Sequence, residues 1–228
     1  MLKTMTIYWL LDSAPPNLVR EVLPLLGETE RRRCAGLKSP KRRRDWLLGR
    51  WAAKTLLRQV LGELPSVLND KDGVPYVVGY PDLHISISHS GDFALCALTV
   101  DGAVGADLEQ IAPRSAAFVA DYFTPPEIAF MAQAPDTLPT LLWSAKEAAL
   151  KALHVGLSVD TRAVEIQAAQ PALKLSCAYG MAQQTPVTAR DFTAACGGRG
   201  QLAGWWQIID DYALTLALKT TTNTKREN

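Results

Sequence analysis

An α+β fold, with a hint of two similar halves, is what this chain predicts, on three observations. Its 228 residues are enough to bury a sizeable core, either as one large domain or as two small ones. Stretches of two-residue alternation, such as "HISISHSGDFALCALTV", are interleaved with segments whose apolar residues recur at helical spacing, such as "LPTLLWSAKEAALKALH". Finally, "GDFALCALT" around Asp92 echoes "DDYALTLALK" around Asp211, each a turn followed by a strand of small apolar residues. The echo suggests two halves meeting near residues 101–112. Short hairpins resemble one another by chance, so it carries little weight alone.

Taken in order, "TIYWLL" (Thr6 to Leu11) is β-rich and reads as the first strand. Asn17 to Leu26 reads as a short helix, with Pro15 and Pro16 before it and Gly27 after it. A second helix runs through "RDWLLGRWAAKTLLRQVLG", closed by Gly62. A hairpin follows from His84 to Val100, turning near Ser90-Gly91-Asp92. "AVGADLEQI" is strand-like as far as Glu109. Helices are expected from Pro125 to about Ala132 and from Leu138 to His154, the latter with an apolar stripe including Leu141, Ala145, Ala148 and Ala152. "VEIQA", "ALKLSCA" and "GWWQIIDDYALTLALKT" alternate as strands, and the polar tail 219–228 reads as disordered.

Composition is that of a soluble globular protein, and a net charge of +1 gives no bulk signal for a polyanionic partner. The charge is unevenly spread: "RRRCAGLKSPKRRR", Arg31 to Arg44, holds eight basic residues and no acid. Four separated cysteines form no CxxC pair, which argues against a zinc ribbon or a disulfide framework. Asp12 ends the first apolar run too early for a secretory leader, and no run is long enough to span a bilayer. A cytoplasmic protein is expected.

Four elements carry chemistry. On a strand, Gly105, Asp107 and Glu109 share one face while Val104, Ala106 and Leu108 face the core. Two carboxylates about 4 Å apart repel by roughly 4 kcal/mol at an effective dielectric near 20, so such a pair in apolar surroundings calls for a cation or a shared proton. Oxygen-only ligation favours Mg²⁺ with substrate phosphates. A solvated strand edge is the plainer alternative. In "WSAKEAALKAL", Trp143, Glu147, Lys151 and His154 fall on one helical stripe; Glu147 with Lys151 is also an ordinary surface pair. In "SISHSG", Ser88 and His89 stand at a strand end where hydroxyl and imidazole could meet a phosphate, or simply close a turn. The basic segment with Arg50 is either a solvated face or an anion-binding arm.

Together and in this order, these elements resemble the 4′-phosphopantetheinyl transferases, in particular the longer monomeric type that activates carrier domains of peptide and polyketide synthases. The resemblance rests on "ISISHSG", on "VGADLE" for G-[VI]-D-[IVL]-E, on "FTPPEIAFM" for F-x-x-x-E, and on "LWSAKEAALKALHVGLS" for W-[ST]-x-K-E-[SA]-x-x-K followed by G-x-G-L-S. It implies a pseudo-twofold α+β fold, with an N-terminal subdomain 1–106, a C-terminal subdomain 107–228 and the active site at their interface. It further implies Mg²⁺ held by Asp107, Glu109 and Glu147, and Lys151 on the coenzyme A pyrophosphate. Ser88 and His89 would lie near the 3′-phosphate, with Arg31, Arg33, Arg44 and Arg50 as candidate contacts to it. Val74 stands where the family commonly has a lysine, and Lys71 is the candidate substitute; His154 also departs from the pattern.

The implied reaction moves 4′-phosphopantetheine from coenzyme A to a serine of an apo acyl or peptidyl carrier protein, with Glu147 and Lys151 as catalytic residues. No nucleic-acid or membrane partner is implied, and a duplicated chain should complete its site as a monomer. Two rivals share some of these parts: a metal-dependent phosphodiesterase or nuclease, and a non-catalytic carrier-binding module.

Overall fold

The computed structural model describes residues 5–156, 159–168, 180–186, 192–196 and 201–220. Strand β1 (Thr6–Ser13) leads into α1 (Leu18–Val22), whose N-terminus Asn17 caps by accepting from the Arg20 N–H at 3.4 Å. The expected helix to Leu26 tightens after Val22 into a 3₁₀ turn, Leu23–Leu25. Pro24 accounts for this, since a proline inside an α-helix removes one N–H and clashes with the preceding turn. The basic segment splits at Gly36–Ser39 between α2 (Glu28–Ala35) and α3 (Pro40–Leu61), with Ser39 capping the second helix and Pro40 at its first position. That helix therefore begins four residues before Arg44, where the apolar periodicity starts.

A short hairpin, β2 (Val67–Asn69) and β3 (Pro75–Val77), precedes the expected one, β4 (His84–Ser90) and β5 (Phe93–Thr99). Strand β6 (Gly102–Gln110) carries the acids and runs across the 106/107 junction. Then come α4 (Ala116–Tyr122), α5 (Pro125–Met131) and α6 (Leu138–Ala152). The last strands are β7 (Val164–Ala168), β8 (Gln183–Pro186), β9 (Phe192–Cys196), β10 (Gln201–Ile209) and β11 (Tyr212–Thr220). Lys219 and Thr220, read from sequence as tail, pair with Ala103 and Gly102 in the last strand. Residues 221–228 and the segment "ALKLSCA" lie outside the described residues. Among the described residues no helix is long and apolar enough to cross a membrane.

Two antiparallel sheets result, in the orders β2-β3-β4-β5-β1-β8 and β6-β11-β10-β9-β7. They face one another across a core of Ile7, Trp9 and Leu95 from the first with Val104, Ala106, Leu108 and Leu216 from the second. Helix α3 covers the outer face of the first sheet through Leu48, Ala52 and Leu56, and α6 that of the second through Leu141, Ala145 and Ala148. Each fully buried leucine contributes about 1.5–3 kcal/mol.

The duplication extends to individual bonds. In the first half, the Glu30 carboxylate accepts from the Gly27 N–H at its helix start, from the Val67 N–H, and from the Lys54 ammonium at 2.7 Å. In the second, Glu127 accepts from the Thr124 N–H, from the Ile166 N–H, and from Lys146 at 2.9 Å. Both pairs are buried, and each lysine also donates to backbone carbonyls, Lys54 to Pro65 and Lys146 to Thr161 and Val164. Trp51, three residues before Lys54, donates to Asp12 of β1, and Trp143, three before Lys146, donates to Glu109 of β6. Asp12 lies opposite Ala94 and Glu109 opposite Ala213, so the echoing strands β5 and β11 occupy equivalent places.

Candidate active site

Helix α6 approaches β6 so closely that a Cβ on Gly105 would lie 1.8 Å from the Ala148 carbonyl oxygen, so only glycine fits there. This approach sets Glu147 and Lys151 beside the acids of β6. Asp107, 3% exposed, accepts through Oδ1 from the Lys151 ammonium at 2.6 Å and from the Ser88 hydroxyl at 2.9 Å. Lys151 also donates to Ser88 Oγ and to the Ala106 carbonyl, both at 3.1 Å, which engages all three of its N–H groups. The other carboxylate oxygen of Asp107, Oδ2, is buried without a hydrogen-bond partner. A buried, unpaired oxygen is costly unless something satisfies it, and a cation would.

Glu109 is turned toward Arg114, whose Nη2 donates to it at 3.0 Å, and toward the Trp143 indole. Burial, then the Asp107 charge, still hold its carboxyl above the usual range. Glu147 is half-buried, and burial with the neighbouring Asp107 pushes it up to about 7. The donors are carboxylate oxygens, with no cysteine or histidine ligand, which suits a hard cation such as Mg²⁺. Among the described residues no group of three or more His, Cys, Asp or Glu side chains is gathered so as to hold a metal by itself. An ion held here would take the rest of its ligands from substrate or water oxygens, as is usual for Mg²⁺.

Beyond Lys151 opens a cavity of about 800 Å³, lined by Trp46 and Arg50 of α3, Val74 of the β2–β3 turn, His89 of β4, and Lys151 and His154 at the end of α6. Burial lowers the His89 imidazole below its ordinary value. Arg50 is buried, reaches Asn69 at 3.2 Å, stacks over Trp46 and lies 3.6 Å from Glu30.

The sequence-predicted cations do not all meet here. Arg33 and Lys71 line an adjacent cavity that shares Arg50 and Asn69 with the first. Lys71 itself is exposed beside Asp72. Arg31 donates to the Leu23 and Pro24 carbonyls, and Arg44 to the Gly91 carbonyl and Asp92, so neither lines the main cavity. Ser88 faces the carboxylates, whereas its neighbour His89 faces the cavity. Arg114 and Asn69 escaped the sequence reading. Arg114 follows the D-x-E stretch by five residues, and only the folded chain returns it to Glu109.

Acids tied to a lysine that lines a cavity together with Arg50, on a duplicated scaffold, are the equipment of an enzyme that handles phosphate groups. A family model for the 4′-phosphopantetheinyl transferase superfamily matches residues 103–217, and one for the 4′-phosphopantetheinyl transferase N-terminal domain matches residues 32–99. The chain belongs to the 4′-phosphopantetheinyl transferase superfamily. Among its relatives, a 4′-phosphopantetheinyl transferase of Bacillus subtilis is 27% identical over 164 residues, 68% of this chain and 73% of that one. The 4′-phosphopantetheinyl transferase HetI of Nostoc sp. is 25% identical over 206 residues, 84% of this chain and 87% of that one. A solved holo-(acyl-carrier-protein) synthase from Bacillus anthracis, in complex with CoA, is 26% identical and covers 42% of this chain and 96% of that chain, with a TM-score of 0.35.

Proposed function

We propose that the enzyme transfers the 4′-phosphopantetheine group from coenzyme A to a serine hydroxyl of an apo acyl or peptidyl carrier protein and releases 3′,5′-ADP. The observation that carries this reading is the cluster of Ser88, Asp107 and Lys151, with its unpaired Asp107 oxygen, joined through Lys151 to a cavity large enough for a nucleotide.

In this reading Asp107, Glu109 and Glu147 would hold Mg²⁺, which when bound neutralises charge on the diphosphate. Lys151 binds a diphosphate oxygen, exchanging part of its bond to Asp107 for one to substrate. The carrier serine oxygen forms a bond to the β-phosphorus while the bond from that phosphorus to the 3′,5′-ADP oxygen breaks. Glu147 takes the hydroxyl proton, and 3′,5′-ADP leaves with the bond's electron pair. Arg50 supplies a guanidinium on the cavity wall for the 3′-phosphate, with Arg33 in the adjoining cavity.

A groove between α1 and the start of α3 joins an apolar floor, Leu18, Val19 and Leu47, to the cations Lys38 and Arg43. It suits an acidic carrier helix, so carrier affinity falls as salt is raised.

The test mixes the protein with coenzyme A, Mg²⁺ and several apo-carriers and weighs the carriers by mass spectrometry. Gain of one phosphopantetheine on the carrier is expected. Cleavage of oligonucleotides without dependence on coenzyme A would contradict this function.

A further inference from the structure

Helix α6 ends on a residue that its internal counterpart makes unnecessary. Counting from the paired tryptophans, Trp51 and Trp143, the position eleven residues on is Gly62 in one half and His154 in the other. Both have left-handed backbone, φ +77 at Gly62 and φ +56 at His154. At α6 the turn is closed by the His154 N–H to the Lys151 carbonyl and the Val155 N–H to the Leu150 carbonyl, a closure that ordinarily uses glycine. A β-carbon at such a φ costs free energy, and such a cost marks positions where the side chain has a use.

The side chain is placed for one. His154 lines the 800 Å³ cavity. Its electrostatic neighbours include His84 and Asp70. His84 starts the strand on which Ser88 meets Asp107, four residues before Ser88. Asn69 and Val74 line that cavity too, and Asn69 carries Arg50.

We propose that His154 is a ligand-contacting residue whose imidazole hydrogen-bonds the nucleotide portion of coenzyme A, beside the turn that carries Val74. The proposal rests on the coenzyme A reading above. His154→Gly removes the backbone cost together with the imidazole, so lost affinity cannot be ascribed to misfolding.

The expected result is a thermal midpoint at or above that of the parent and an affinity for 3′,5′-ADP, measured by calorimetry, lower by about fivefold, the worth of one hydrogen bond. KM for coenzyme A rises by a similar factor with kcat unchanged. His154→Asn, which tolerates the left-handed conformation and keeps a donor, falls between the two. Affinity of His154→Gly for 3′,5′-ADP equal to the parent's overturns the proposal. A parent protein that binds neither 3′,5′-ADP nor coenzyme A overturns the coenzyme A reading and this inference with it.

Discussion

At the residue scale, the site is held by two counter-ions for three acids. Lys151 neutralises Asp107 and Arg114 neutralises Glu109, while among the described residues Glu147 has no ion pair of its own. Removing Arg114 therefore leaves Glu109 without a counter-ion, held by the Trp143 indole alone beside the Asp107–Lys151 pair. Arg114→Ala is expected to lower unfolding free energy by about 1 kcal/mol without divalent ions. Denaturant titration would measure this, and Mg²⁺ should restore more stability to the variant than to the parent. Glu147→Gln keeps the shape and removes the base, so kcat should fall by about 10²- to 10⁴-fold in the carrier assay at saturating Mg²⁺. Near-parental turnover would remove Glu147 from the base role. The D-x-E pair was legible because acids are out of place in an apolar strand. The fate of the arginines was not: a run such as "RRRCAGLKSPKRRR" shows where charge is, and only tertiary packing shows that Arg31 and Arg44 are spent on nearby carbonyls and Asp92.

At the scale of elements, the two buried glutamate–lysine pairs tie a helix start to a strand and to a second helix in each half. Glu30→Gln or Glu127→Gln would leave Lys54 or Lys146 buried without its counter-charge, costing about 3–5 kcal/mol in denaturant unfolding. Losses below 1 kcal/mol at both positions would show that these ammonium groups find solvent or lose their proton cheaply. Periodicity recovered α3, α6 and the β4–β5 hairpin because each is long and amphipathic. It missed α4 and the three-residue strands β2 and β3, which are too short to show a period. It also overextended the first helix, where Pro24 intervened. Strand β8 was beyond reach for another reason: its partner is β1, at the far end of the chain.

For the whole molecule, duplication raises the question of why there would be one site rather than two. Where the second half has Asp107, Glu147 and Lys151, the first has Leu10, Thr55 and Gln59 at the equivalent places. Gln59 is tied to the Gly180 carbonyl and the Ala182 N–H, so the chain itself fills that cleft. Calorimetry should accordingly find one coenzyme A per chain; two equivalent sites would mean that this asymmetry has been misread. The echo between β5 and β11 only hinted at the duplication in sequence, and the loss of acids from one copy shows only when the strands are set in register.

The most direct measurement concerns the acids of β6 and α6 acting together on the coenzyme A diphosphate. With Mn²⁺ in place of Mg²⁺, phosphorus resonances of bound coenzyme A report how close the ion lies to the diphosphate. Strong broadening of the diphosphate signals by stoichiometric Mn²⁺ is expected with the parent protein, and its loss with Asp107→Asn. Equal broadening with both proteins would contradict a cation held by Asp107 against the substrate.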